Sequence, residues 1–237
     1  MDREAGIATY GARISAQDQR QRRANGLPPE HIYGKKHGEA PVIPVVISKV
    51  ETMGPCVTKY EFKRPDGLDL PPLTAGAHID VLVAPEFFRQ YSLSGDPADC
   101  STYQIAVLRE DQGRGGSRLM HRIFEPGRRV FISPPINHFP LEETAPHTVL
   151  LGGGIGITPM LAMAHRLCSI NASFELHYCI SSREKAGFLQ DLAEVSWADR
   201  VHIHVSSEGT RADLTALLAN RTDAIVYACG PDKFMTD

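Results

Sequence analysis

The sequence predicts an antiparallel β-barrel followed by a parallel-sheet α/β domain, and three observations carry that reading. Between residues 42 and 132 short β-branched runs recur, separated by Gly and Pro, the pattern of a many-stranded antiparallel barrel. Past residue 142 each such run is followed by a helical stretch, and strands joined through helices pair in parallel. The 20 glycines and 17 prolines among 237 residues favour turns and strands over a helical bundle.

Taken in order, residues 1–40 are polar and charged, mixing Arg20, Arg22 and Arg23 with Asp18 and Glu30, and are read as a solvated arm. The barrel is assigned to 41–142, with six strands at 42–50, 57–62, 78–83, 90–94, 103–108 and 129–132 and a short helical stretch at 118–124. The α/β domain is assigned to 143–237, with strands at 147–151, 174–179, 201–205 and 224–228 and helices at 159–168, 187–194 and 212–219.

Composition narrows the function classes. With 42% hydrophobic and 22% charged residues and a net charge of −3, the chain is an ordinary soluble globular one, and wholesale nucleic-acid binding is excluded. The five cysteines, at 56, 100, 168, 179 and 229, form no C-x-x-C pair, so neither a disulfide framework nor a zinc site is predicted. They also lack the C-x4-C-x2-C spacing of a plant-type iron-sulfur cluster. The uncharged run 148–164 is interrupted by glycines and a proline and reads as strand, turn and helix start, not a membrane span. The N-terminal residues lack an apolar stretch of signal-peptide length, so a cytoplasmic location with reduced thiols is expected.

Four segments have the residue types that bind phosphorylated cofactors. In the barrel, Arg89-Gln90-Tyr91-Ser92-Leu93 puts Arg89, Tyr91 and Leu93 on one face, and an arginine, an aromatic ring and hydroxyls suit a phosphorylated planar ligand. Gly113-Arg114-Gly115-Gly116-Ser117 precedes a helical stretch and offers consecutive N–H groups as an anion nest. In the second domain Gly152-Gly153-Gly154-Ile155-Gly156-Ile157-Thr158-Pro159 leads from strand to helix. Its glycines would admit a pyrophosphate, with Thr158 as N-cap and Pro159 at the first helical position; a tight connection without ligand is the alternative. Ser182-Arg183 and Cys229-Gly230-Pro231 follow two further strands, at the sheet edge where open α/β folds bind ligands. There Arg183 could stack on an adenine or meet ribose or phosphate oxygens; otherwise it is a surface arginine near a turn.

In this order the four motifs resemble the ferredoxin-NAD(P)H reductase superfamily. Within it, Arg89 to Leu93 and Gly113 to Ser117 look like the phthalate dioxygenase reductase and vanillate demethylase reductase branch, over roughly 42–237. The resemblance implies FMN held by Arg89, Gln90, Tyr91, Ser92, Leu93, Ala106, Val107, Leu108, Arg114, Gly115, Gly116 and Ser117, with Thr158 near the flavin ring. It implies NADH over Gly153, Gly154, Gly156 and Thr158, adenosine toward Ser182 and Arg183, and nicotinamide near Cys229, Gly230 and Pro231. NADPH stays open as an alternative, because Arg183 could also meet a 2′-phosphate.

The implied activity is that of an NADH reductase passing electrons through FMN to an iron-sulfur acceptor, on a further domain or a ferredoxin, of a Rieske-type oxygenase. No side chain need act as acid or base in that reaction, and the ten histidines are read as structural or surface residues. The alternatives are an FAD-dependent NAD(P)H:ferredoxin reductase and a flavin- or nucleotide-binding module without turnover. Membrane and nucleic-acid partners are not implied. Three departures qualify the resemblance. The branch continues into a C-terminal 2Fe-2S domain, whereas this sequence stops at Met235-Thr236-Asp237; Ile136 stands where the branch usually has an arginine; and the arm at 1–40 is longer than the resemblance explains.

Overall fold

The computed structural model describes residues 42–84, 87–113, 115–219 and 223–236. The arm at 1–40 and Arg114 lie outside the described residues. The first half contains β1 (Ile43–Thr52), β2 (Val57–Lys63), β3 (His78–Ala84), β4 (Phe87–Ser92), β5 (Tyr103–Leu108), the helix α1 (Gly116–Ile123) and β6 (Arg129–Ile132). These strands form one antiparallel sheet in the order β4-β3-β6-β1-β2-β5. Its two end strands approach each other, and just past them the Ser94 N–H donates to the Gln104 carbonyl at 2.9 Å, so the sheet is a nearly closed barrel.

Period-two alternation fills the barrel. Val45 and Ile47 of β1, Ile79, Val81 and Val83 of β3, and Ile105 and Val107 of β5 point inward, and Met120 of α1 is buried among them. A bulge between Ile47 and Lys49 shifts the register of β1 against β2, which lets the strand run on to Thr52 beyond the point where simple alternation ends.

The second half contains β7 (His147–Gly153), a 3-10 turn (Gly154–Gly156), α2 (Ile157–Ser169), β8 (Phe174–Ile180), a 3-10 turn (Arg183–Lys185), α3 (Leu189–Glu194), β9 (Val201–Val205), α4 (Leu214–Leu218), β10 (Ala224–Cys229) and α5 (Asp232–Thr236). The four strands form a parallel sheet in the order β10-β7-β8-β9. On one face Met160, Met163, Ala164 and Leu167 of α2 pack with Leu150, Leu176 and Tyr178. Among the described residues no helix is long and apolar enough to cross a membrane.

One expectation is corrected at the start of α2. The helix begins at Ile157 behind the 3-10 turn, so its N-cap is Gly156, not Thr158. Thr158, already inside the first turn, instead donates its hydroxyl to the Ile155 carbonyl at 3.1 Å. The 3-10 turn closes the backbone earlier than the Thr-Pro pair suggests.

Barrel and parallel sheet share an apolar seam: Val57, Ala75 and Ala106 of the barrel belong to the same buried cluster as α2 and Phe188. The connecting segment is bonded to both sides. Asn137 Nδ2 donates to Thr74 Oγ1 (2.7 Å) and the Ala75 carbonyl (2.9 Å). The Tyr227 hydroxyl of β10 donates to the Pro140 carbonyl (3.2 Å) and accepts from the Glu142 N–H (2.7 Å). Tyr227→Phe keeps the edge-on ring contact with Phe139 but removes both bonds. It is expected to lower the unfolding free energy by about 1–2 kcal/mol, measured as a shift of the urea midpoint at unchanged slope.

Candidate functional site

At the open edge of the barrel, Arg89 and Tyr91 lie on the same side of β4, while Gln90 faces the other way and is exposed. Burial pushes the Tyr91 phenol up to about 12; the Arg89 charge works against that shift and Glu110 adds to it. After β5 the chain folds back, and the Glu110 N–H donates to Ser117 Oγ at 3.1 Å. α1 then starts behind Gly115, whose φ of 91° is left-handed, and no side chain among the described residues caps it. Its first N–H groups thus remain available to an anion.

Gly116 is where this end meets Arg89. A Cβ there would lie 2.8 Å from Arg89 Nε, so the absence of a side chain lets the guanidinium lie directly against the helix N-terminus. A cation and the positive end of a helix therefore converge. Of the other residues singled out in the barrel, Ser92 ends β4 and is half-buried. Leu93 and Val107 are sealed in the barrel core and can offer a ligand only backbone groups. Ala106 and Leu108 alternate outward into the seam with the α/β half, where β5 packs against the Gly154–Gly156 turn.

The glycines of that turn differ in function. A Cβ on Gly156 would lie 2.1 Å from the Cys229 carbonyl oxygen, and one on Gly153 or Gly230 would strike the Phe234 ring at 2.7 or 2.5 Å. These three permit close packing of β7, β10 and α5. Gly154, with φ of 55°, faces open space: a Cβ there would meet no described atom within 4 Å. Gly154 also borders both neighbouring hollows. One, of about 250 Å³, runs along the seam past Val57, Leu108, Ser181 and Ser182. The other, of about 680 Å³, opens over the strand ends between Ser181, Ser206, Arg211, Pro231 and Lys233.

Arg183 begins the 3-10 turn after β8, where its guanidinium donates to both oxygens of Glu208, at 2.9 and 3.2 Å. Burial raises the Cys229 thiol above its ordinary value, so this sulfur at the sheet edge stays protonated at neutral pH and is a poor nucleophile. Pro231, next to Gly230, is exposed at the mouth of the larger hollow.

No protein-family model matches the chain. Among curated proteins it is 44% identical over 192 residues to the tert-butanol monooxygenase / tert-amyl alcohol desaturase reductase subunit of Aquincola tertiaricarbonis, covering 80% of this chain and 57% of that protein. It is 42% identical over 197 residues to a vanillate O-demethylase oxidoreductase of Pseudomonas sp. (strain HR199 / DSM 7063), covering 82% and 62%. The chain thus spans about three fifths of the length of these relatives. Among solved structures it superposes on phthalate dioxygenase reductase with a TM-score of 0.79 at 33% identity, over 85% of this chain and 63% of that one. Over about four fifths of its length the chain thus shares sequence with reductase subunits of oxygenases and fold with phthalate dioxygenase reductase.

Three charged residues here belong to no motif legible in the sequence. Glu208 holds Arg183 across a gap of 25 residues; Arg211 and Lys233 line the larger hollow. The available signal for all three was position. Each lies shortly after the C-terminal end of β9 or β10, the edge where open parallel sheets bind ligands.

Proposed function

We propose that this chain is the flavin- and nicotinamide-binding part of an oxygenase reductase, with 41–142 taking FMN and 143–237 taking NADH. The observation that supports this best is the side-chain-free cradle at Gly116, where Arg89 and the start of α1 converge. Such a cradle suits the terminal phosphate of FMN. A bound flavin would supply the link between two-electron donation by reduced nicotinamide and one-electron delivery to an iron-sulfur acceptor of a Rieske-type oxygenase. The protein's part is to bind and orient. Arg89 and the first N–H groups of α1 hold the phosphate, Tyr91 and Ser92 line the flavin site, and the outward side of Ala106 and Leu108 keeps water from the seam. Gly154 gives the dinucleotide backbone room, Ser182 bears on its adenosine end, and Cys229, Gly230 and Pro231 bear on the nicotinamide.

Two measurements test this. Anaerobic addition of NADH to the flavin-loaded chain is expected to bleach the flavin absorbance within turnover times and to support ferricyanide reduction; persistent oxidised absorbance would leave only a binding module. Extracting the cofactor and separating it chromatographically is expected to give FMN, and recovery of FAD would overturn that choice.

Preference for NADH is read from the Arg183–Glu208 pair. The carboxylate already satisfies the fork of Arg183, and its charge opposes a 2′-phosphate. Glu208→Gln is expected to raise kcat/KM for NADPH relative to NADH by about fivefold, the effect of relieving roughly 1 kcal/mol at an exposed pair. An unchanged ratio would remove Glu208 from cofactor choice.

A further inference from the structure

We propose that Glu175 and His177 of β8 together with His202 of β9 form a binding site for a dication of the zinc class, on the face of the parallel sheet turned away from α2. The ligand atoms of these three residues all lie within 4.8 Å of one another. His177 Nε2 is 3.3 Å and His202 Nε2 is 3.9 Å from Glu175 Oε2. Ligands bonded tetrahedrally to zinc at about 2.0–2.1 Å stand roughly 3.4 Å apart, so the two histidine–carboxylate pairs already stand near that spacing. Strand geometry assembles it. Glu175 and His177 are two apart on one face of β8, and the parallel register sets His202 opposite His177.

His177 is the residue that calls for a ligand. It is 5% exposed, and its Nε2 has no hydrogen-bond partner among the described residues. Its other nitrogen, Nδ1, lies 3.0 Å from His204 Nε2. With its proton on Nδ1, shared with His204, His177 turns the Nε2 lone pair toward the carboxylate. In that tautomer a cation held between Nε2 and the carboxylate satisfies the buried nitrogen. A hydrogen bond to the second ring nitrogen, the position that His204 occupies here, fixes the tautomer and orientation of a ligating histidine. His147 Nε2, 3.4 Å from Glu175 Oε1, braces the other carboxylate oxygen. The rings of His177 and His202 stack 4.7 Å apart. Closure on one ion therefore falls to His202, whose side chain is 49% exposed and has room to turn.

The site uses none of the residues assigned to flavin or nucleotide, so it stands or falls apart from the reductase reading. The test is titration of the chelator-stripped chain with Co2+ and then Zn2+. One equivalent of Co2+ is expected to bind with the visible d–d bands of a four-coordinate site and without the intense near-ultraviolet band of thiolate ligation, and Zn2+ is expected to displace it. His202→Ala and the isosteric Glu175→Gln are each expected to weaken binding by about tenfold or more, at unchanged circular dichroism. Absence of saturable binding, a thiolate band, or undiminished affinity in both variants would overturn the site.

Discussion

Gly156→Ala is expected to destabilise this protein more than any other single methyl addition in the glycine turn, by about 2–3 kcal/mol. The added Cβ would fall 2.1 Å from the Cys229 oxygen, 2.4 Å from its carbonyl carbon and 2.7 Å from the Gly230 nitrogen. All three are backbone atoms at the end of β10, so no side-chain rotation relieves the overlap. Overpacking of this kind costs about 1–3 kcal/mol, and more where backbone must shift. Shifting it here displaces the strand end that carries Cys229, Gly230 and Pro231. Thermal midpoint and NADH-dependent ferricyanide reduction should therefore fall together.

Gly154→Asn supplies the contrast. Its φ of 55° is one that asparagine tolerates, and the space around it is open. The thermal midpoint should change little, while KM for NADH rises because the new side chain enters the volume next to Ser181 that both hollows share. A Gly156 variant with normal stability would contradict the packing argument. A Gly154 variant with normal KM would contradict the assignment of the turn to the dinucleotide.

These two glycines also mark how far the sequence could be read. Period and punctuation gave the elements: β5 and β6 fall where their β-branched runs do, and the strand-helix alternation after residue 142 gave the parallel sheet. What escaped was decided by pairing across the chain. β4 begins at Phe87, three residues ahead of the expected 90, because its backbone continues to pair with Leu82 and Ala84 of β3. A run of Gly-x-Gly looks alike at 152, 154 and 156, yet only the approach of β10 makes Gly156 a packing position and leaves Gly154 facing solvent. Arg183 reads as a free cation until the ends of β8 and β9 bring Glu208 to it. His177 and His202 read as unrelated histidines until the register of two parallel strands stacks them. Local chemistry is legible in one dimension; juxtaposition across 25 residues is a property of the sheet.

Arg89→Ala is expected to strip most of the flavin from the purified protein. Hydrogen bonds from a charged donor contribute about 1.5–3 kcal/mol, which corresponds to roughly 10- to 150-fold in affinity. Flavin-to-protein absorbance ratio after gel filtration reads this directly. Gly116→Ala tests the same cradle from the opposite side. Its Cβ would sit 2.8 Å from Arg89 Nε and 3.2 Å from Arg89 Cγ, pushing the guanidinium away without removing its charge. Because the obstructed group is a flexible side chain, the effect should be smaller than in Arg89→Ala. The double variant should bind flavin no worse than Arg89→Ala alone, since a displaced arginine and an absent one leave the phosphate with the same helix N-terminus. If Arg89→Ala retained full flavin occupancy, the phosphate would have to be held elsewhere. If the two losses added, Gly116 would be acting on the ligand itself and not through the arginine.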